Sequence, residues 1–183
     1  MIRNLTPSDF AQVISLGEQV HGANYLDLDT LKHYYQLGIK DGINAHFVAE
    51  QAGEIIGFRL TFTANQWTLD EWCSPALWGV EIDKVCYFKS NTLAEKARGQ
   101  GIGGDLLAQS IAAVKAQGAK AGVSHLWKQS PHNAAVRYFT KAGGRLIKEH
   151  PGRWNQANDG SDYLCVLCGN DCHCTACEML INF

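Results

Sequence analysis

The sequence predicts an α/β fold, a sheet with helices on both faces, and three observations carry that expectation. Strand-like and helix-like patterns are mixed along the 183 residues rather than segregated. Glu54–Thr63 alternates Ile56, Phe58, Leu60 and Phe62 with Gly57, Arg59, Thr61 and Thr63. It faces Asn44–Glu50 across Gln51-Ala52-Gly53, which reads as a hairpin with a half-buried second strand. Val85–Leu93 is a strand that feeds a glycine-rich turn, Arg98-Gly-Gln-Gly-Ile-Gly-Gly104. That turn opens a helix with Ile102, Leu106, Leu107, Ile111 and Val114 on one face and Gly118 as its stop.

The remaining elements follow in order. Ile2–Leu5 is a first strand. Thr6-Pro7-Ser8-Asp9 reads as a capped helix start, with Phe10, Val13, Ile14, Gly17 and Val20 as the buried stripe. His21–Asp29 is loop, and Asp29 or Thr30 caps a helix ending near Gly38. Residues 64–83 have no clean period. They interleave Trp67, Trp72 and Trp78 with Asp70, Glu71, Glu81 and Asp83, which suits either a pocket for an amine-bearing ligand or a packed loop. Gly122–Trp127 is a strand, Ser130-Pro131 precedes a helix that Gly143-Gly144 ends, and Arg145–Glu149 is another strand.

One domain, residues 1–183, is expected. With 46% hydrophobic and 19% charged residues and a net charge of −2, nothing drives binding to nucleic acid or to an acidic membrane. The N-terminal stretch has no apolar signal region and no long apolar run occurs, so a cytoplasmic location is expected. A homodimer is compatible with the sequence but is not read from it.

The glycine turn is the strongest chemical signal. Glycines let an anion approach the backbone, and the helix start offers free N–H groups and a positive dipole end. With Arg98 added, this is a cradle for a phosphate or diphosphate. It lacks the Lys-Ser/Thr of a P-loop and the GxGxxG order of a dinucleotide fold.

Arg98-x-x-Gly101-x-Gly103, between an apolar strand and an amphipathic helix, resembles the pyrophosphate-binding motif of the GNAT acetyltransferases. SNTLAEKARGQGIGGDLL is similar to that family's fourth strand, loop and third helix, and HNAAVRYFTKAGG to its later helix. The resemblance covers roughly residues 1–150 and the final strand. It implies a mixed, mostly antiparallel sheet with a cofactor cleft where strands four and five splay apart. It also implies acetyl-CoA as cofactor and direct attack by a primary amine, from a small molecule or a protein, in a ternary complex. Tyr25, Asp27, Tyr34 and Tyr35 fall in the region that commonly walls the acceptor site.

By the same resemblance Arg98, Gly99, Gln100, Gly101, Ile102, Gly103 and Gly104 hold the diphosphate. The backbone near Asn91 and Leu93 pairs with the pantetheine arm, and the Leu93 N–H is the oxyanion donor. A lysine-type amine titrates near ~10.4, so it needs a base. Glu81 is the favoured candidate, beside Asp83, Glu71 and His125. In the later helix His132 takes the family's asparagine position, with His132 or Asn133 as a cofactor contact. Phe139 takes the position of the tyrosine that protonates the leaving thiolate and is expected to affect cofactor binding. Tyr138 is adjacent, about 100° round the helix. It serves if the helix is rotated; otherwise another donor acts, or, the preferred outcome, none is needed because a thiol pKa near ~8.5 makes the thiolate a tolerable leaving group. A CoA-sensing module without turnover is the alternative reading.

Cys165, Cys168, Cys172 and Cys174 form a second signal. CxxC followed by glycine is a zinc knuckle, and four thiolates leave no open position, so a structural Zn²⁺ in an insertion at about 163–177 is expected. Cys177 or His173 is the substitute ligand; an iron–sulfur cluster, disulfides or a partner-docking role are the competing readings. The last strand is placed at Glu178–Phe183, and Cys73 and Cys86 are read as ordinary apolar residues.

Overall fold

Ile55–Phe62 are buried without a break, including Arg59 and Thr61, so this strand is not half-buried but covered on both faces. The computed structural model describes residues 1–183. Its elements are β1 (Ile2–Asn4), α1 (Phe10–His21), α2 (Leu28–Leu37), β2 (Ile39–Lys40), β3 (Ile43–Asn44), β4 (Phe47–Gln51), β5 (Glu54–Phe62), β6 (Val85–Leu93), α3 (Ile102–Ala116), β7 (Ala121–Trp127), α4 (Ala134–Lys141), β8 (Arg145–Pro151), α5 (Gln156–Asp159) and β9 (Thr175–Asn182). Seven strands form one sheet in the order β1-β4-β5-β6-β7-β9-β8, and β2 and β3 make a separate small ladder. The sheet is antiparallel except between β6 and β7. The last strand therefore begins before Cys177 rather than after it.

Helices α1 and α2 cover one face, burying Phe10, Val13, Leu16 and Leu31 against Val48, Phe58 and Leu60. Helices α3 and α4 cover the other, burying Leu107, Val114 and Phe139 against Phe88, Met179 and Ile181. Leu16 joins the buried stripe of α1, while Ile14 and Val20 only flank it. The cap of α2 is Asp27, whose carboxylate accepts the Thr30 N–H at 2.7 Å.

Residues 64–83 resolve as a packed loop. They close over the far half of the sheet on the α1–α2 side. Trp67 stacks on Tyr87 with centroids 4.9 Å apart, and Trp78 is 1% exposed. Glu178, fully buried on β9, pins this loop: it accepts the Ser74 N–H at 2.8 Å, Trp78 Nε1 at 2.8 Å and His150 Nε2 at 3.0 Å. Burial pushes its pKa up, but the donors from His150, Ser74 and Trp78 outweigh that and hold the carboxyl below its usual 4.5.

A carboxylate with a depressed folded pKa contributes stability above its unfolded pKa and loses it as pH falls through the folded value. Chemical denaturation should therefore show Glu178→Gln destabilised by about 3 kcal/mol at pH 7, the upper end for hydrogen bonds to a buried charged acceptor. Below about pH 4.5, near the ordinary carboxyl pKa, wild type should lose stability more steeply than the variant.

Candidate functional site

β6 and β7 pair over only three residues each, Val85–Tyr87 with Ala121–Val123. Beyond that point the strands part. Lys89 supplies the cause. In the β5–β6 ladder Leu60 opposes Ser90 while Thr61 opposes Phe88, so Lys89 is an extra residue with no partner, a bulge that bends β6. Phe88 stays on the α3–α4 face, whereas Lys89 and Ser90 both turn to the α1–α2 face, toward Tyr34 and Tyr25.

The main chain of β6 then presents polar groups to the opening. Ala94 N–H bonds Ile56 C=O at 2.9 Å, and Leu93 opposes Gly57. In an antiparallel ladder this makes Leu93–Gly57 a non-hydrogen-bonded pair, so Leu93 directs its own N–H and C=O away from β5. Asn91, opposite Arg59, does the same two residues earlier. Both residues, expected to pair with the cofactor arm, lie where β6 has left β7.

Below the opening lies the glycine turn. Gly99 (φ 75°) and Gly101 (φ 83°) are left-handed, and Gly101 caps α3. The N–H groups of Ile102, Gly103 and Gly104 belong to the first helical turn and have no intrahelical partner. A Cβ at Gly104 would meet nothing within 4 Å, and one at Gly103 would approach Asn91 Nδ2 at 3.2 Å. Arg98 is exposed beside them, its Nε 3.4 Å from the Leu93 carbonyl, and Gln100 folds back onto the Lys96 carbonyl at 2.7 Å. This is an open anion cradle continuous with the cleft.

Two buried side-chain oxygens near the cleft have no partner, Asn91 Oδ1 and Asn133 Oδ1. Asn133 (φ 53°) and His132 (φ 55°) are both left-handed, a strained pair at the start of α4. His132 is exposed, and Asn133 alone turns its polar group inward.

Helix α4 sets Phe139 and Tyr138 on different sides. Phe139 is fully buried, edge-on to Phe88 at 5.9 Å, so it is a core residue and not a surface for a cofactor. Tyr138 instead receives a 2.9 Å hydrogen bond from Arg59 Nη1, which leaves its phenolic proton free to donate. Arg59 is 1% exposed, lacks an acidic partner, and lies 4.5 Å over the Phe88 ring.

The favoured base, Glu81, is misplaced. It is exposed and precedes Val85, at the closed end of the β6–β7 junction; Glu71 and Asp83 are likewise exposed. His125 is committed to other work: Nε2 donates to the Trp72 carbonyl at 2.7 Å and Nδ1 accepts from the Tyr87 hydroxyl at 2.9 Å. The residues that do wall the opening on the α1–α2 side are His21, Tyr25, Ser90 and Thr92. His21 Nε2 is 2.9 Å from Thr92 Oγ1, Thr92 Oγ1 is 3.2 Å from Ser90 Oγ, and Ser90 Oγ is 2.7 Å from the Tyr25 hydroxyl. Burial, with a smaller push from Arg98, lowers the His21 pKa to about 4, so its imidazole is neutral. Of the residues expected at the acceptor wall, Tyr25 and Tyr34 face this recess, Asp27 caps α2, and Tyr35 packs on Phe10. His21 escaped sequence reading because nothing in a helix's last residue signals which strand it will meet.

The cysteine cluster stands against the same wall. Cys165, Cys168, Cys172 and Cys174 bring their Sγ atoms within 4.8 Å of one another, with 3.9 Å from Cys165 and 3.8 Å from Cys168 to Cys174. These separations are nearly twice a disulfide bond, and no disulfide forms. Cys177 lies in β9 within the main core and His173 is exposed beside Asp171, so neither substitute ligand joins the cluster. The knuckle's chain docks on the end of α1: Leu164 N–H bonds Ala23 C=O, and Val166 N–H bonds His21 C=O, each at 3.0 Å. The Tyr163 hydroxyl also donates to His21 C=O, at 2.8 Å. Gly22 (φ 121°) lies so close to the Leu164 carbonyl that a Cβ there would collide with it.

Comparison with known proteins agrees with this geometry. The structure superposes along its whole length on Ard1 from Thermoplasma volcanium (TM-score 0.71, 13% identity, 96% of that chain). It does so equally on ribosomal-protein-alanine N-acetyltransferase from Brucella melitensis (TM-score 0.70, 16% identity, 99% of that chain). YncA from Salmonella typhimurium, solved with its cofactor acetyl-CoA, matches with a TM-score of 0.68 and 17% identity over 92% of its chain. No curated protein matches the sequence significantly. The family model described as acetyltransferase (GNAT) family matches residues 18–144. Carrying that match, a splayed β6–β7 junction and a glycine-capped α3, the chain belongs to the GNAT family of acetyltransferases.

Proposed function

We propose that this protein is an acetyl-CoA-dependent N-acetyltransferase whose acceptor is a primary amine, attacking directly in a ternary complex. The observation that carries the reading is the run of unpartnered main-chain groups from Asn91 and Leu93 to the first turn of α3, beside the orphaned oxygens of Asn91 and Asn133. An amide-bearing arm ending in a diphosphate satisfies such a run. Bound acetyl-CoA supplies an activated acetyl thioester. Ile102, Gly103 and Gly104 N–H groups with Arg98 hold the diphosphate, and Asn91 and Asn133 accept from the arm's amides. The Leu93 N–H stabilises charge developing on an acyl oxygen. Tyr138, oriented by Arg59, donates a proton to the departing thiolate. The neutral His21 takes the proton of the attacking amine, with Thr92, Ser90 and Tyr25 as its hydrogen-bonded chain.

The cysteine cluster fits a structural Zn²⁺. A Zn–S bond of about 2.3 Å in a tetrahedron places the sulfurs about 3.8 Å apart, as Cys168 and Cys174 are. The ion's task is to hold the chain at Tyr163–Val166 against His21–Ala23, and so to hold the acceptor wall.

Gly101→Glu should abolish acetyl-CoA binding in calorimetric titration while the protein stays folded; retained binding would show that the turn has another purpose. His21→Ala leaves the main-chain contacts of residue 21 in place. It should cut turnover about 100-fold, the lower range for general acid–base catalysis, with unchanged acetyl-CoA affinity. Metal analysis should find one zinc per chain, and Cys168→Ser should raise the KM for the amine far more than that for acetyl-CoA.

A further inference from the structure

The bulge that opens the cleft also deposits a cation in the acceptor recess. Lys89 belongs to none of the protein's ion pairs. Its Nζ lies 5.3 Å over the ring of Tyr34. Burial, and after it the charge of Arg153, pull its pKa down to about 8, yet the side chain keeps solvent contact. Lys89 thus sits half-buried on the α1–α2 face, next to Ser90 of the acceptor wall. Tyr34, half-buried with its pKa raised by burial, faces it from α2.

Arg153 approaches from the loop after β8. Its Nη2 holds Asp70 at 2.9 Å, its side chain is 12% exposed, and its Nε is buried with no partner. Asp70 is already shared, since its Oδ1 accepts the Trp72 N–H at 3.0 Å and the Cys73 thiol. Asp70 is therefore committed to Arg153 and its own loop, and Asp159 bears on Lys89 still more weakly. Lys89 is thus a half-buried cation outside every ion pair, and desolvating such a charge without a partner is costly.

We propose that Lys89 and Arg153 receive an anionic group of the acceptor, and that the acceptor is an amine bearing a carboxylate. The proposal rests on the acetyl-transfer reading above. A monoanion balances the local charge, whereas a phosphate dianion overshoots it. Lys89 lies four residues before Leu93, at most about 13 Å along the strand and less across the bulge, so the carboxylate sits several bonds from the attacking amine. An ω-amino acid, or a diamino acid reacting at its side chain, has that shape.

The test pairs 6-aminohexanoate with 6-aminohexanamide, which differ only in the charge. CoA release is followed with acetyl-CoA present. Separately, the N-acetylated forms of both compounds and of 2-aminoethyl phosphate are titrated into the CoA-loaded protein by calorimetry. The expected result is about tenfold preference for the carboxylate over the amide in both assays. That preference should be lost in Lys89→Met and restored in Lys89→Arg, with acetyl-CoA affinity equal in all three proteins. Carboxylate-selective binding without CoA release would leave the anion site standing and overturn the transferase reading. Equal binding of acid and amide, tighter binding of the phosphate, or a preference that survives Lys89→Met would overturn the anion site itself.

Discussion

One unpaired residue governs the architecture of this molecule. With Lys89 bulged out of the β5–β6 ladder, β6 bends, the parallel ladder with β7 stops after three pairs, and the cleft exists. Without the bulge the peptide groups of Asn91 and Leu93 would be consumed by β7. Their availability is thus a property of register rather than of any side chain. The same irregularity places Lys89 and Ser90 together on the α1–α2 side, where an unbroken strand would have sent one of them into the α3–α4 core.

The two sides of the opening are built on different principles. Toward α3 and α4 the groups are main-chain N–H donors and asparagine oxygens on rigid elements, suited to one invariant ligand. Toward α1 and α2 the wall is made of side chains on the end of a helix, a loop and the docked cysteine knuckle. The knuckle ties residues 163–166 to residues 21–23 through two backbone hydrogen bonds and the Tyr163 hydroxyl, all of them to main-chain carbonyls, so the side chain of residue 21 is not needed for the docking.

The parts of the fold that local chemistry dictates were legible in the sequence. The glycine turn and its helix, the β4–β5 hairpin and the four cysteines read correctly because each is specified by neighbours a few residues apart. Four features did not. The burial of both faces of β5 follows from helices contributed elsewhere in the chain. Glu81 looked well placed because it is close to β6 in sequence, but the opening lies at the strand's other end. The surroundings of His21, Lys89 and Arg153 are set only by tertiary packing, and a one-residue bulge leaves no periodic signature in so short a strand. The rotation of α4 that sends Phe139 inward and Tyr138 toward Arg59 was likewise decided by packing against Phe88.

The order of the strands has a consequence for how the molecule is made. β9 inserts between β7 and β8, so both wait for a segment that emerges from the ribosome well after them. Until it arrives, β7 is a bare apolar edge held to β6 by a ladder only three residues long, the kind of exposed strand that templates aggregation. Contacts of such sequence separation also form slowly. The half of the sheet beyond the cleft is therefore the part of the nascent protein most in need of chaperone protection, and lesions in β9 should be felt as low yield of soluble protein before they are felt as lost activity.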